Sequence, residues 1–179
     1  TNPFINRCAG IDFKTPEIYN IIFVYIGEYQ IAGLKGRGTS YGVKAIRKWL
    51  KSKDCKYAGK CDIKKCYEST DRDKLIIFLQ KHVQNPDLMW LIWTLISTYK
   101  QGLSIGSLLS QYLCTLYLAQ LYHEISERMY HMRRCRNGTV KRVNLVKHVL
   151  FQMDDILIIG SNKRHIGEAM RRIRAELLK

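Results

Sequence analysis

None of the six cysteines stands in a C-x-x-C pair, and none is spaced with histidines as a zinc finger requires. Cys8, Cys55, Cys61, Cys66, Cys114 and Cys135 therefore read as reduced thiols of a cytoplasmic protein. The N-terminus lacks the charged, apolar and small-residue zones of a secretory signal. Long hydrophobic runs are missing too. Residues 18–26 and 88–96 are too short to span a bilayer, and 108–122 is broken by Ser110, Gln111, Thr115 and Gln120. No membrane is expected as a partner. Acidic residues are scarce, 15 against 30 Lys plus Arg, which leaves a net charge of +15. So large an excess points to a polyanion, nucleic acid before an anionic lipid surface, although a merely solvated basic surface is the bland alternative. Repeats and low-complexity tracts are absent. What remains is a chain of 179 residues, 46% hydrophobic and 25% charged, which is a globular composition with enough length for one core.

The pattern of elements is mixed. The stretch 18–26 is β-branched and aromatic, so strand and helix both stay open. Lys35-Gly-Arg-Gly-Thr39 is a basic, glycine-punctuated loop, and Tyr41–Lys51 follows as an amphipathic helix. Tyr57–Ile63 reads as a strand carrying Asp62 at its end. Thr70 is placed as the N-cap of a helix to about His82, with Asp71 and Asp73 in its first turn. Asn85-Pro86 opens another helix, running to about Tyr99. Ser107 to about Arg128 is predicted as one long buried helix. Asn137-Gly138 marks a turn inside a basic segment, Val143–Phe151 and Ile156–Ile159 are apolar strands, and a basic amphipathic helix runs from about His165 to the end. Trp49, Trp90 and Trp93 fall at helical spacing and are expected in the core.

Chemistry concentrates in Leu150-Phe-Gln-Met-Asp-Asp-Ile-Leu-Ile-Ile-Gly160, where two adjacent carboxylates sit between apolar strands. Unpaired carboxylates near a core are costly, and a divalent cation with a taste for hard oxygen ligands relieves that cost. Ordinary turn residues on a surface hairpin are the alternative. Asp62 at a strand end is weak evidence alone. Facing the Asp154-Asp155 hairpin it could complete a site for two metal ions, one activating a hydroxyl and the other holding a leaving group.

Four segments together resemble the reverse transcriptase family. Cys61-Asp62-Ile63 through Tyr67 is similar to its first aspartate motif, and Gln152-Met-Asp154-Asp155 to its Y-x-D-D box. Gly102-Leu-Ser-Ile105-Gly106-Ser-Leu-Leu-Ser110-Gln111 resembles the glycine motif that contacts nucleotide and template. Lys35-Gly-Arg-Gly-Thr-Ser-Tyr41 resembles a K-G-R-G-T-x-Y segment of group II intron and related bacterial enzymes. The variant Ile105-Gly106 with Ser110-Gln111 is similar to diversity-generating retroelement enzymes, which copy a template RNA with low fidelity at adenines. A bacterial or phage retroelement origin is what these likenesses imply.

The resemblance implies an α+β fold: a small antiparallel palm sheet backed by helices, with partial helical fingers. Residues 1–55 would be partial fingers and 56–179 palm, with fingers elements interleaved at about 70–100. It implies RNA-directed DNA synthesis with two magnesium ions, manganese serving as a substitute. Asp62, Asp154, Asp155 and the Ile63 carbonyl would hold the metals, and the three aspartates would be catalytic. Tyr67 would be the steric gate against a 2′-hydroxyl, with a core aromatic as its alternative. Ile105, Gly106 and Gln111 would line the nucleotide. Lys35, Arg37, Arg133, Arg134, Arg136, Lys141 and Arg142 would bind nucleic acid through phosphates. Template RNA, a DNA or RNA primer, a dNTP and an accessory protein of the retroelement are the implied partners. Gln152 stands where the family has Tyr, and Ser104 where it has Pro. No basic fingers block precedes Lys35 and no thumb follows the last helix, so a truncated core is expected. A silent nucleic-acid-binding palm and a two-metal nuclease are the rival readings.

Overall fold

The computed structural model describes residues 24–178, so Cys8 and most of the 18–26 stretch lie outside the described residues. The chain forms two compact units. One contains Tyr67–Leu116 with the segment ending at Ile26, and the other contains Gly27–Cys66 and Tyr117–Lys179.

The second unit is built on a four-stranded sheet. Its strands are β1 (Gln30–Ile31), β2 (Tyr57–Asp62), β5 (His148–Gln152) and β6 (Asp155–Gly160), in the order β1-β5-β6-β2. β2, β6 and β5 run antiparallel, as expected, while the short edge strand β1 pairs parallel to β5, so the sheet is mixed. Alternation along the strands sorts the core into two layers. Leu150 and Ile159 face α1 (Thr39–Trp49) and cluster with Ile31, Ala45 and Trp49. Helix α1 buries Gly42, Ala45 and Trp49 and turns Lys44, Arg47 and Lys48 outward, the period of an amphipathic helix. The opposite face carries Ile156 and Ile158, both fully buried, and packs on α7 (Lys163–Leu177), which buries Ile166, Ala169 and Ile173. A side chain at Gly59 would lie 3.1 Å from both Ile166 and Met170, so helix and sheet meet closely there. Asn162 caps α7 by accepting from the Arg164 N–H at 2.8 Å. Trp49 stacks on the His148 ring at 4.6 Å. Burial and the neighbouring Lys147 charge hold that imidazole below the ordinary histidine value.

The long helix expected from Ser107 to Arg128 is interrupted. It is realised as α5 (Leu108–Tyr117), α6 (Ala119–His123) and a π-helical turn over Glu124–Arg128. The apolar periodicity is continuous, but Leu118 sits at ψ −7 and resets the hydrogen-bond ladder. The expected strand Val143–Phe151 also divides. Its first part joins β4 (Val140–Asn144), which pairs with β3 (Tyr130–Arg134) in a separate two-stranded ribbon.

The first unit is helical. α2 (Cys66–Ser69) is a single turn at the passage between units, followed by α3 (Arg72–Gln80) and α4 (Pro86–Ser97). Asp71 rather than Thr70 caps α3, because its carboxylate reaches the Lys74 N–H at 3.1 Å while Thr70 is buried. Asn85 caps α4 as expected, accepting from Asp87 and Leu88 N–H. Trp49 is in the core, but Trp90 and Trp93 are 48% and 46% exposed, which corrects the expectation for those two. With Met89 they line an open groove against Ile77 of α3, while Leu88, Leu91, Ile92 and Ile96 take the buried side of α4. Among the described residues no helix is long and apolar enough to cross a membrane.

The loop after α4 makes the sharpest steric demand in this unit. Gly102 has φ +58, and a Cβ there would stand 2.2 Å from the Tyr67 carbonyl oxygen and 2.5 Å from that of Glu68. Gly106, at φ +93, has open space above it. Gly102→Ala should therefore cost about 3 kcal/mol or more, since backbone cannot yield cheaply, and Gly106→Ala only about 1–2 kcal/mol of backbone strain. Urea unfolding of the two variants checks this, and equal losses would contradict the steric account.

Candidate active site

The register of β2 against β6 assembles the site. It runs unbroken from Tyr57↔Gly160 to Asp62↔Asp155, so the last pair places two carboxylates side by side on one face of the sheet. β5 and β6 are joined by the two-residue loop Met153-Asp154, closed by the pair Gln152↔Asp155. Met153 holds φ +57, a left-handed conformation that costs a non-glycine residue about 1–2 kcal/mol. The Ile63 N–H donates to the Asp154 carbonyl at 3.1 Å, which ties the hairpin tip to the continuation of β2. Beyond Ile63 the chain turns through Lys65, also left-handed at φ +53. Asp62, Asp154, Asp155 and Ile63 are thus brought to one end of one sheet.

Lys60 lies two residues before Asp62 and therefore on the same face. Its Nζ stands 2.9 Å from Asp155 Oδ1. Hydrogen bonding to Asp155 and the charge of Asp155, with smaller contributions from Asp62 and Asp154, hold the ammonium above the ordinary lysine value. All three aspartates therefore act on a single cation. Cys61 points to the opposite face, where burial first, then the charges of Asp62 and Asp155, push its thiol up.

The same arrangement tests whether a divalent cation suits these residues. The donor set is hard, three carboxylates and a carbonyl, and its field already gathers a positive group. Among the described residues, however, no three His, Cys, Asp or Glu side chains converge closely enough to hold a metal ion. Asp155 is turned toward Lys60. The chemistry of the donor set and the backbone register fit a hard cation, while the Asp155 side chain pairs with Lys60.

The remaining expected residues divide between the units. Tyr67, Ile105, Gly106 and Gln111 belong to the helical one. There the Tyr67 carbonyl accepts from the Leu103 N–H at 2.8 Å, so the glycine loop is fastened to the turn that carries Tyr67. Tyr67 is half-buried, Ile105 is 76% exposed, and Gln111 stands in the first turn of α5. In the sheet unit, Lys35 is exposed and Arg37 donates to the Gly27 carbonyl at 3.1 Å. Arg133, Arg134, Arg136, Lys141 and Arg142 are all exposed on or at the tip of the β3–β4 ribbon. Gln152 reaches the Thr39 hydroxyl at the start of α1, at 3.5 Å. Sequence reasoning missed Lys60, although period-two alternation from Asp62 marks it. It also missed Gly102 as the residue that lets the loop approach Tyr67, and no local signal marks that long-range contact.

A family model described as reverse transcriptase (RNA-dependent DNA polymerase) matches residues 17–179. No curated protein matches the chain.

Lys60→Met keeps the length of the side chain and removes its charge. In chelator at low salt it should lower the melting temperature, because Asp155 loses its ion-pair partner and the other two carboxylates lose a nearby positive charge. It should also enlarge the rise in melting temperature on adding Mg2+, since no ammonium then competes for Asp155. Thermal melts with and without Mg2+ check both, and two unchanged values would show that Lys60 is only a surface partner.

Proposed function

This chain belongs to the reverse transcriptase family, and from that premise we propose that it carries out RNA-templated DNA synthesis by two-metal nucleotidyl transfer at Asp62, Asp154 and Asp155. The observation that carries the reading is the register pair Asp62↔Asp155 with Asp154 in the adjoining loop. Asp62 and Asp154, with Asp155 and the Ile63 carbonyl, would hold the magnesium ions. When bound, these supply an activated primer hydroxyl and neutralise the charge developing on the triphosphate.

The chain's own residues do the positioning. Tyr67 screens the sugar by its bulk, and Gly106, with open space where a side chain would stand, admits a flat group close to the backbone. Ile105 and Gln111 complete the nucleotide contacts. Lys35 and the ribbon residues Arg133, Arg134, Arg136, Lys141 and Arg142 hold template and primer through phosphates, with Arg37 shaping the loop before α1. A bacterial or phage retroelement origin is supported by the Lys35–Tyr41 segment and by Ile105-Gly106 with Ser110-Gln111. An accessory protein of such an element would be a further partner. One observation favours a second reading, a catalytically silent nucleic-acid-binding palm: although the backbone brings the three aspartates together, no three His, Cys, Asp or Glu side chains among the described residues are close enough to hold a metal ion.

Asp154→Asn separates the two. Mg2+ should raise the melting temperature of the wild-type chain, since a ligand that binds only the folded state stabilises it. The variant should lose most of that rise and all primer extension while keeping its fold. Extension retained by Asp154→Asn would sink the two-metal assignment, and a wild-type chain indifferent to Mg2+ would favour the silent palm. Tyr67→Ala, at preserved stability, should increase ribonucleotide incorporation during extension. Unchanged sugar selectivity would return Tyr67 to a packing role.

A further inference from the structure

The β3–β4 ribbon is built against its own electrostatics. A lone two-stranded hairpin is marginal in water, and like charges directly opposite one another weaken it further. Yet Arg133 pairs directly with Lys141, and no acidic residue occurs between Arg128 and Asp154. Among the described residues no ion pair engages Arg133, Arg134, Arg136 or Lys141.

The rest of the hairpin is carefully fixed. At its tip Cys135 and Thr139 are joined by an N–H···O bond of 2.7 Å, and the Asn137 side chain accepts from the Thr139 hydroxyl at 2.6 Å. At its root the Leu145 N–H donates to the Met129 carbonyl at 2.8 Å, and His131 packs edge-on against His165 of α7 at 4.8 Å. A hairpin held by these contacts and carrying uncompensated charge suits a ligand that supplies the missing anions.

The distribution of charge says how that ligand lies. Opposed residues share a face, so Arg133 and Lys141 project from one side of the ribbon. Arg134 and Arg142 project from the other, where the Arg142 guanidinium lies 3.9 Å over the Tyr130 ring. A flat patch for a membrane or a single strand would carry its charge on one side. Charge on both sides suits a ribbon lying between two rows of phosphates. The ribbon's root adjoins the Gly160 end of β6, because a Cβ at Gly160 would meet the Leu145 carbonyl at 3.3 Å. The aspartates occupy the other end of that strand, five residues or about 17 Å away. The root is therefore set well away from the reacting nucleotide.

We propose that the β3–β4 ribbon is a groove-inserting arm that grips a nucleic-acid duplex by the phosphates on both of its walls, without reading sequence. It rests on the nucleic-acid-binding part of the proposed function but not on the metal chemistry.

The test uses the full chain and three probes: a short RNA–DNA hybrid duplex, single-stranded RNA of the same length, and anionic phosphatidylserine vesicles. Each phosphate contact adds roughly 0.9 to the slope of log affinity against log salt. Arg133→Ala/Lys141→Ala should lower the duplex slope by about two, and Arg134→Ala on the opposite face by about one. Single-strand binding should change much less. Removing the Arg133–Lys141 pair should leave the melting temperature unchanged or raise it, which a merely structural role would not do. The proposal is overturned if the chain does not bind the duplex, if slopes do not change, or if only one face matters. It is equally overturned if single strands lose as much as duplex, or if the variants release vesicles while keeping duplex. The slopes are measured in chelator, with no metal ion available to the aspartates, so a failure of the ribbon and a failure of the metal site give different results.

Discussion

Everything in the sheet unit is arranged around the pairing of Asp62 with Asp155 at the last rung of the β2–β6 ladder. Two carboxylates held side by side repel one another, with a third one residue away in the loop. The surroundings make that rung hard to avoid. Six consecutive register pairs fix β2 against β6, and the Ile63–Asp154 backbone bond closes the end. Two buried layers, on α1 and on α7, lock both faces of the sheet, so a one-residue slip would turn Ile156 and Ile158 away from α7. Repulsion is tolerated because packing elsewhere leaves the backbone no alternative. Lys60 supplies the local countercharge.

The chain uses positive charge in two different settings. At the aspartates a lysine pairs with Asp155, whose hydrogen bond and charge hold the ammonium above the ordinary lysine value. On the ribbon, arginine and lysine oppose each other with nothing acidic nearby. The first setting is satisfied within the protein. The second has no acidic partner nearby, and the proposed duplex arm gives the net charge of +15 a part to play. Tyr67 and the Gly102–Gly106 loop show a further kind of constraint, in which a backbone contact fixes the position of a candidate side chain.

Much of this was legible in the sequence where the determinants are local. Apolar strands flanking Asp154-Asp155, the Asn85-Pro86 helix start and the amphipathic patterns of α1 and α7 are short-range signals, and the family resemblance rests on compact motifs. The α+β class follows from them. Long-range determinants were not legible. The parallel edge strand β1 depends on pairing Gln30 with Phe151, which no local pattern announces. Trp90 and Trp93 follow a helical period, but the period does not say which side of α4 meets the core; Leu88, Leu91, Ile92 and Ile96 occupy it instead. The break at Leu118 lies inside a continuous apolar run, where backbone geometry and not composition decides. The ribbon was hidden because its charged residues mask the alternation that usually reveals strands.

The rung formed by Asp62 and Asp155, with Asp154 beside it, is the proposed cation site, and Lys60 is paired with Asp155 there. Crystallography of the chain soaked in Mn2+ addresses it most directly, through the anomalous signal of the ion. The expected result is a peak bound by Asp62 and Asp154, with Asp155 turned away from Lys60 toward the ion. A Lys60–Asp155 pair left intact with no ion among the three carboxylates, at Mn2+ concentrations that support primer extension, would contradict the account.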